Sequence, residues 1–575
     1  MIAPIDKHPG FFHIERLLSG GMPSPMAASL LTSLGVSNLE RAARCLQSLA
    51  LHPSFPREDT KFLIQLLETL GETFEPERAL ANLERILESR ENPDALLSTL
   101  RRSAERRSVV LTLAGGSQFL SDTVLRNPEF LDWILRPSVL RGGRSKERMF
   151  SELWRWVRAA SDDPAGPAAA LRRFRQREYL RIGIRDLMRT ATMRETTMSL
   201  SHLADVSLEA ALRIGYKELT AQYGKPRWRG PDGTWLPCEF AMIGMGKLGG
   251  QELNFSSDID LLFVYSSDDG NTAGVRDEFT GRRTGKISNH EFHVRLARRI
   301  IHLMAENTKE GHVFRVDTRL RPEGSQGALA YSLRSCEVYY ESWGETWERQ
   351  ALIKARLCAG SEELGHDFQE MIRPFIYRRT LDLSALDEIA RIKDRINSKL
   401  AASGRNSLNV KLGEGGIREI EFIIQSYQLI YGGKESILRT PNSLQALSAI
   451  EVLGFLPIGD CSGLAEAYTF LRDVEHRVQV THGLQTHDLP TDAHGLAVLA
   501  RKMGFRPENH LSEREIFENS LKAYQELVAR IFENLFLRQG TAQTGEPKAV
   551  EPKAGEAPVS AETLGDSLSP AELAP

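Results

Sequence analysis

Apolar spacing changes period twice along the chain. Over residues 16–223 it is helical: Leu63, Leu66, Leu67 and Leu70 share one face, and Leu80, Leu83, Ile86 and Leu87 repeat the stripe. Such stripes predict amphipathic helices packed on a common core. Over residues 231–360 the pattern turns strand-like. Residues 240–243 and 259–265 are short apolar runs suited to buried strands, and residues 312–320 alternate, with Arg315, Asp317 and Arg319 on one face. Helical spacing returns over residues 362–537. There Ile417, Ile420, Ile424 and Tyr427 bury one side of a helix, while Glu414, Arg418, Glu421 and Gln425 step along the other as a row that reads as self-paired. The chain is predicted to be α+β and largely helical, built around one mixed-sheet domain.

Breakers divide this pattern into a helical region over 1–230, a sheet domain over 231–360, a helical bundle over 361–539 and a tail over 540–575. Residues 162–167, Asp-Asp-Pro-Ala-Gly-Pro, precede a helix carrying Arg172, Arg173, Arg175, Arg177, Arg181 and Arg185. That row reads either as a solvated face with carboxylate partners or as a surface for an acidic partner. Residues 223–236, rich in Gly, Pro, Trp and Arg, are expected to be a linker, and the polar, glycine-rich stretch 266–286 a mobile loop. Residues 336–357 read as helices whose aromatics, Tyr339, Tyr340, Trp343 and Trp347, are core or purine-facing. The tail contains no aromatic residue and is expected to be disordered.

A net charge of -3, from 73 basic and 76 acidic residues, removes any global basic field, so nucleic acid is not an expected partner. Five cysteines without a Cys-x-x-Cys predict reduced thiols and a cytoplasmic protein. No run approaches the ~18 apolar residues of a membrane span. His476, His482 and His487 lack the spacing of a structural metal site.

The chemistry concentrates in residues 244–265. Gly244, Gly246, Gly249 and Gly250 follow the first strand run, with Lys247 among them, in a loop whose backbone can approach a phosphate. Asp258 and Asp260, just after Ser257, flank the start of the next run, and side chains two apart on a strand share a face. If residues 312–320 lie alongside, Asp317 supplies a third carboxylate. Three carboxylates suit two divalent ions, Mg2+ or Mn2+, of the kind used in nucleotidyl transfer. Arg319 and Arg321 would then face phosphates, and Lys354 and Arg356 reach a phosphate or lie on the surface.

The segments Gly244-Met-Gly-Lys-Leu-Gly-Gly-Gln-Glu-Leu-Asn-Phe-Ser-Ser-Asp-Ile-Asp, Phe314-Arg-Val-Asp-Thr-Arg-Leu-Arg-Pro, Trp347-Glu-Arg-Gln-Ala-Leu-Ile-Lys-Ala-Arg and Gly415-Gly-Ile-Arg-Glu-Ile-Glu-Phe closely resemble the bacterial glutamine synthetase adenylyltransferase and adenylyl-removing enzyme family. The resemblance implies a nucleotidyltransferase (polymerase β-like) fold acting on glutamine synthetase, with ATP, ADP and inorganic phosphate as small-molecule partners. It implies metal-binding roles for Asp258, Asp260 and Asp317. It makes Gly246, Lys247, Gly249, Gly250, Ser257, Arg319, Arg321, Lys354 and Arg356 the expected nucleotide and phosphate contacts. The Leu-Asn-Phe-Ser-Ser-Asp-Ile-Asp form resembles the N-terminal, AMP-removing half of that bifunctional family, and no second glycine loop with an Asp-x-Asp occurs in the 575 residues. The expectation is phosphorolytic removal of AMP from a tyrosine of glutamine synthetase, with the second domain on another chain and a PII signal protein as possible regulator. The alternatives are ATP-dependent addition of AMP at the same site, or a non-catalytic module that binds glutamine synthetase or a PII-like protein.

Overall fold

The strand runs pair into one sheet. Phe240–Met245 lies antiparallel between Arg356–Gly360 and Ile259–Tyr265, and the latter is joined in parallel by Val316–Asp317 and then Ala330–Ser332. Every residue of Phe240–Met245 is buried. Layers on both faces of a sheet favour continuous apolar strands over alternating ones, as these are. One covering layer is the helix Asn289–Ala305, whose His293 stacks on Tyr265 at 4.6 Å and Phe240 at 5.5 Å. The computed structural model describes residues 8–18, 21, 23–36, 38–52, 55, 59–276, 279, 281–378 and 409–540. The expected disordered tail falls, but for Gly540, outside them.

Local chemistry redraws several expected elements. The strand expected over 312–320 is only Val316–Asp317, because the amides of Val313 and Phe314 both donate to the Met304 carbonyl and hold the chain off the ladder. Beyond it Arg321 closes a turn by donating to the carbonyls of Thr318, Ser325, Gly327 and Ala328. Arg356 and Leu357, expected to end a helical stretch, instead begin an edge strand, Arg356–Gly360, with an irregularity between Leu357 and Ala359. The expected linker is a hairpin, Pro226–Arg229 with Trp235–Pro237, to which Asn271–Thr272 adds a third strand. Within the expected mobile loop, Val275–Arg276 also pairs with Arg283–Thr284.

The arginine row changes meaning most. The helix Gly166–Leu187 is buried along its length, with Arg172, Arg175, Arg177, Arg181 and Arg185 all inside and Arg173 alone half-exposed. Neither reading of that row as a surface holds. Arg177 lies 4.3 Å from the rings of both Trp133 and Trp156, and Glu178, fully buried, accepts from Arg144 at 2.5 Å and from Arg181 at 2.8 Å. Amphipathic spacing cannot reveal this, since a helix covered on all sides has no solvent face. Glu178→Gln leaves buried guanidinium charge uncompensated and is expected to cost about 3 kcal/mol in urea denaturation; a loss under about 0.5 kcal/mol would show the cluster to be solvated.

One apolar core runs from Phe11 through the sheet to Val480. That core includes residues on both sides of position 230 and, among the described residues beyond 360, only Val480. A first compact unit reaches Phe532; of the unit beginning at Glu533, the described part is the end of the helix Glu513–Gly540. Among the described residues no helix is long and apolar enough to cross a membrane, and all five cysteines are buried and unpaired.

Candidate active site

The glycine loop is shaped by its neighbours. Gly246 has φ +52°, and a Cβ there would stand 2.7 Å from Asp260 Oδ2; a Cβ on Gly249 would stand 1.6 Å from the Lys354 carbonyl oxygen. Gly246 thus lets the chain leave Phe240–Met245 beside Asp260, and Gly249 lets the one-turn helix Gly246–Gly249 press against the lead into Arg356–Gly360. Register does the rest. Met245 pairs with Asp260 on one side and Asp260 with Asp317 on the other, so the loop and two carboxylates meet at one edge of the sheet.

They line a cleft of about 510 Å³ that also takes in Lys247, Ser257, Asp258, Arg319 and Lys354. Burial first, then the Asp317 charge, pushes Asp260 up to about 7. Asp317 is held below the usual range chiefly by its hydrogen bonds to Arg319, whose Nη2 lies 2.5 Å away. Asp258 is paired to Arg315 Nε, also at 2.5 Å. The donors are all oxygen, and a buried carboxylate raised by its like-charged neighbours is one that a cation would discharge, so the three residues fit a hard divalent ion such as Mg2+ or Mn2+. Arg315 and Arg319 now fill that electrostatic role. Among the described residues, the group whose ligand atoms all lie within 4.8 Å of one another is a different one, Asp186, Asp473 and His476, and there Arg477 already pairs with Asp186.

Four of the residues expected at phosphates are outside the cleft lining. Gly249 and Gly250 form the loop's inner side, Arg321 closes the turn described above, and Arg356 is bound to the buried Asp205 at 2.8 and 3.0 Å and to the carbonyls of Leu248 and Gly249. Lys354 does line the cleft, but its ammonium group is committed to Glu252 at 2.6 Å, Ser443 at 3.1 Å and Glu421 at 3.2 Å.

The cleft is completed by residues to which the sequence assigned no phosphate role. Lys411 and Arg418 line the cleft, and among the described residues neither has a carboxylate within ion-pair distance; Arg418 Nε is buried without a hydrogen-bond partner. Burial opposes the Glu421 charge, but Lys354, Arg418 and Lys411 hold its carboxyl down at about 2. The row read as self-paired thus turns into the cleft: Gln425 accepts from Gln350 at 2.7 Å, and Phe422 and Trp347 add apolar surface. Lys411 is set by Asn409, which caps the amides of Lys411 and Leu412 and donates to Asp488. The neighbouring His487 reaches Glu475 at 2.7 Å, as Lys247 does at 2.8 Å. Burial works against the Glu475 charge, yet Lys247, His487 and Arg472 keep it well below the usual carboxylate range. The glycine-turn-into-helix pattern at 413–417 was the available signal for Arg418; Lys411 and His487 had none.

The model of the family described as glutamate-ammonia ligase adenylyltransferase matches residues 107–371, and that described as GlnD PII-uridylyltransferase matches residues 390–536. The first segment carries the three aspartates and the second carries Lys411 and Arg418, so the cleft lies where they meet. The bifunctional glutamine synthetase adenylyltransferase/adenylyl-removing enzyme of Nitrosococcus oceani is 44% identical over 366 residues, 64% of this chain and 36% of that protein. The protein of the same description from Pseudomonas syringae pv. tomato is 39% identical over 422 residues, 72% of this chain and 41% of its own length. The chain thus spans about two fifths of the length of these curated relatives. Residues 107–371, which carry the sheet, the glycine loop and the three aspartates, are the segment in which this chain matches the glutamate-ammonia ligase adenylyltransferase family.

Proposed function

We propose that the chain removes AMP from an adenylylated tyrosine of glutamine synthetase by phosphorolysis, with release of ADP. One observation carries the reading: three carboxylates, Asp258, Asp260 and Asp317, line one cleft together with two cations, Lys411 and Arg418, that have no carboxylate within ion-pair distance among the described residues. Anionic and cationic groups lining one cleft suit a metal-phosphate unit, the cation toward the carboxylates and the phosphate toward Lys411 and Arg418. Asp258, Asp260 and Asp317 hold Mg2+ or Mn2+, which when bound neutralises charge on the phosphoryl oxygens. Lys411, Arg418 and the exposed Arg319 orient the AMP phosphoryl group and the incoming phosphate. An oxygen of inorganic phosphate bonds to the AMP phosphorus as the bond to the tyrosine oxygen breaks; that oxygen leaves as phenolate and takes a proton from solvent. Trp347 and Phe422 supply flat apolar surface for the adenine.

The removing direction rests on the Leu253-Asn-Phe-Ser-Ser form of the loop. In the fold Asn254 and Phe255 of this segment are buried, and Asn254 Oδ1 accepts from Arg472 and lies 3.0 Å from His476 Nε2, while Ser257 lines the cleft. The match of residues 390–536 supports a tie to PII-type signalling, and the unpaired buried thiols a cytoplasmic setting. The chain incubated with adenylylated glutamine synthetase is expected to release ADP only when phosphate is supplied. Label transferred from ATP to the unmodified enzyme, with no ADP release from the modified one, would reverse the direction. Neither product would overturn the catalytic reading.

A further inference from the structure

A second, smaller cavity lies behind the carboxylate wall. It encloses about 100 Å³, and its lining includes Arg126, Arg175, His312 and Arg315 together with Gln176 and Glu310. Arg175 is 8% exposed; its guanidinium sits 3.7 Å over the Tyr179 ring, its Nε has no hydrogen-bond partner, and among the described residues no carboxylate lies within ion-pair distance of it. A buried guanidinium without a counter-ion is unfavourable unless an anion completes it. Burial, then the charges of Arg175 and Arg315, press His312 down to about 4, as a positive cavity would. Arg315 links this cavity to the cleft: its Nε holds Asp258, while one Nη donates to the Ser256 carbonyl and, at 3.0 Å, to Gln485.

We propose that this cavity binds a small tetrahedral oxyanion of the size of inorganic phosphate, and that the bound anion draws Arg315 away from Asp258. Two or three arginines converging on so small a space match an oxyanion's several acceptors, since a planar fork of donors bonds two oxygens at once. The volume is below the ~300 Å³ at which pockets begin to hold larger ligands, so a nucleotide is excluded. Freed from Arg315, Asp258 turns to a cation in the cleft, and the anion becomes a positive effector of metal binding. The binding claim stands apart from the reaction proposed above; only the consequence for Asp258 rests on that reading.

Sulfate is the probe, because it has the shape of phosphate and is a poor nucleophile. Calorimetric titration of the full chain, with chloride holding ionic strength constant, is expected to show saturable binding. The constant should weaken about tenfold in Arg126→Glu, which reverses an exposed charge at the mouth, and also in Arg175→Met. If Arg175→Met fails to fold, Arg126→Glu decides alone. Unchanged binding in Arg126→Glu, or binding lost instead in Arg418→Met, puts the anion in the cleft and overturns the proposal. Mn2+ titrations followed by its paramagnetic resonance signal then test the link. Saturating sulfate should tighten Mn2+ binding severalfold in the unmodified chain and not in Arg126→Glu; sulfate that binds in the cavity without moving Mn2+ affinity overturns the effector role and leaves the proposed reaction untouched.

Discussion

Asp260→Asn is expected to lower phosphate-dependent ADP release by about a thousandfold or more, while making the metal-free protein more resistant to heat. Both effects come from one carboxylate. Asp260 sits between Met245 and Asp317 in the sheet, and burial together with Asp317 raises its folded pKa to about 7, against ~3.9 in an unfolded chain. Between those values the folded protein keeps a proton that the unfolded chain has released. Stability therefore falls as pH climbs from ~4 to ~7, and the loss is complete above that. An asparagine has no such proton to lose. The gain in Tm of the variant, measured in chelator, should be small near pH ~5 and largest near pH ~8. Undiminished turnover would remove Asp260 from the chemistry, and a Tm gain that ignores pH would remove the like-charge argument.

The second large effect separates arginines that face the cleft from those that build it. Arg418→Met and Lys411→Met are each expected to lower kcat/KM about a hundredfold with little change in denaturation midpoint, because each removes from the cleft a cation that has no carboxylate within ion-pair distance among the described residues. Arg356→Met should act the other way round. Its guanidinium forks onto Asp205, fully buried, and onto two carbonyls of the glycine loop, so its loss leaves Asp205 with Lys146 alone and the carbonyls without that donor, and is expected to cost about 2 kcal/mol. Urea denaturation beside steady-state kinetics reads both. A stable, inactive Arg356→Met or a stable, fully active Arg418→Met would undo the division.

Much of this was readable without coordinates. The two apolar runs, the glycines between them and the Asp258–Asp260 pair follow from strand alternation and local steric needs, which are properties of neighbours in sequence. Asp317 was placed conditionally, on its run lying beside Ile259–Tyr265, and it pairs there with Asp260. Arg321, Lys354 and Arg356 were expected at phosphates because cations near a carboxylate cluster are plausible ligands. Their actual partners, the turn at 318–328, Glu252 with Glu421, and Asp205, are set by tertiary packing. The buried arginines of Gly166–Leu187 escaped for the same reason: their carboxylate and aromatic partners lie on other helices.

The sequence by itself determined the α+β division, the loop and the three aspartates, because period, glycine placement and side-chain direction on a strand are local. Only the tertiary structure decided which cations face those aspartates. Lys411, Arg418 and His487 lie about a hundred residues or more beyond Asp317, Arg418 in the first turn of the helix Ile417–Tyr431, Lys411 before it and His487 after the helix Ile458–His482. Charge pairing is settled by distance in space, and no pattern within one element carries that distance.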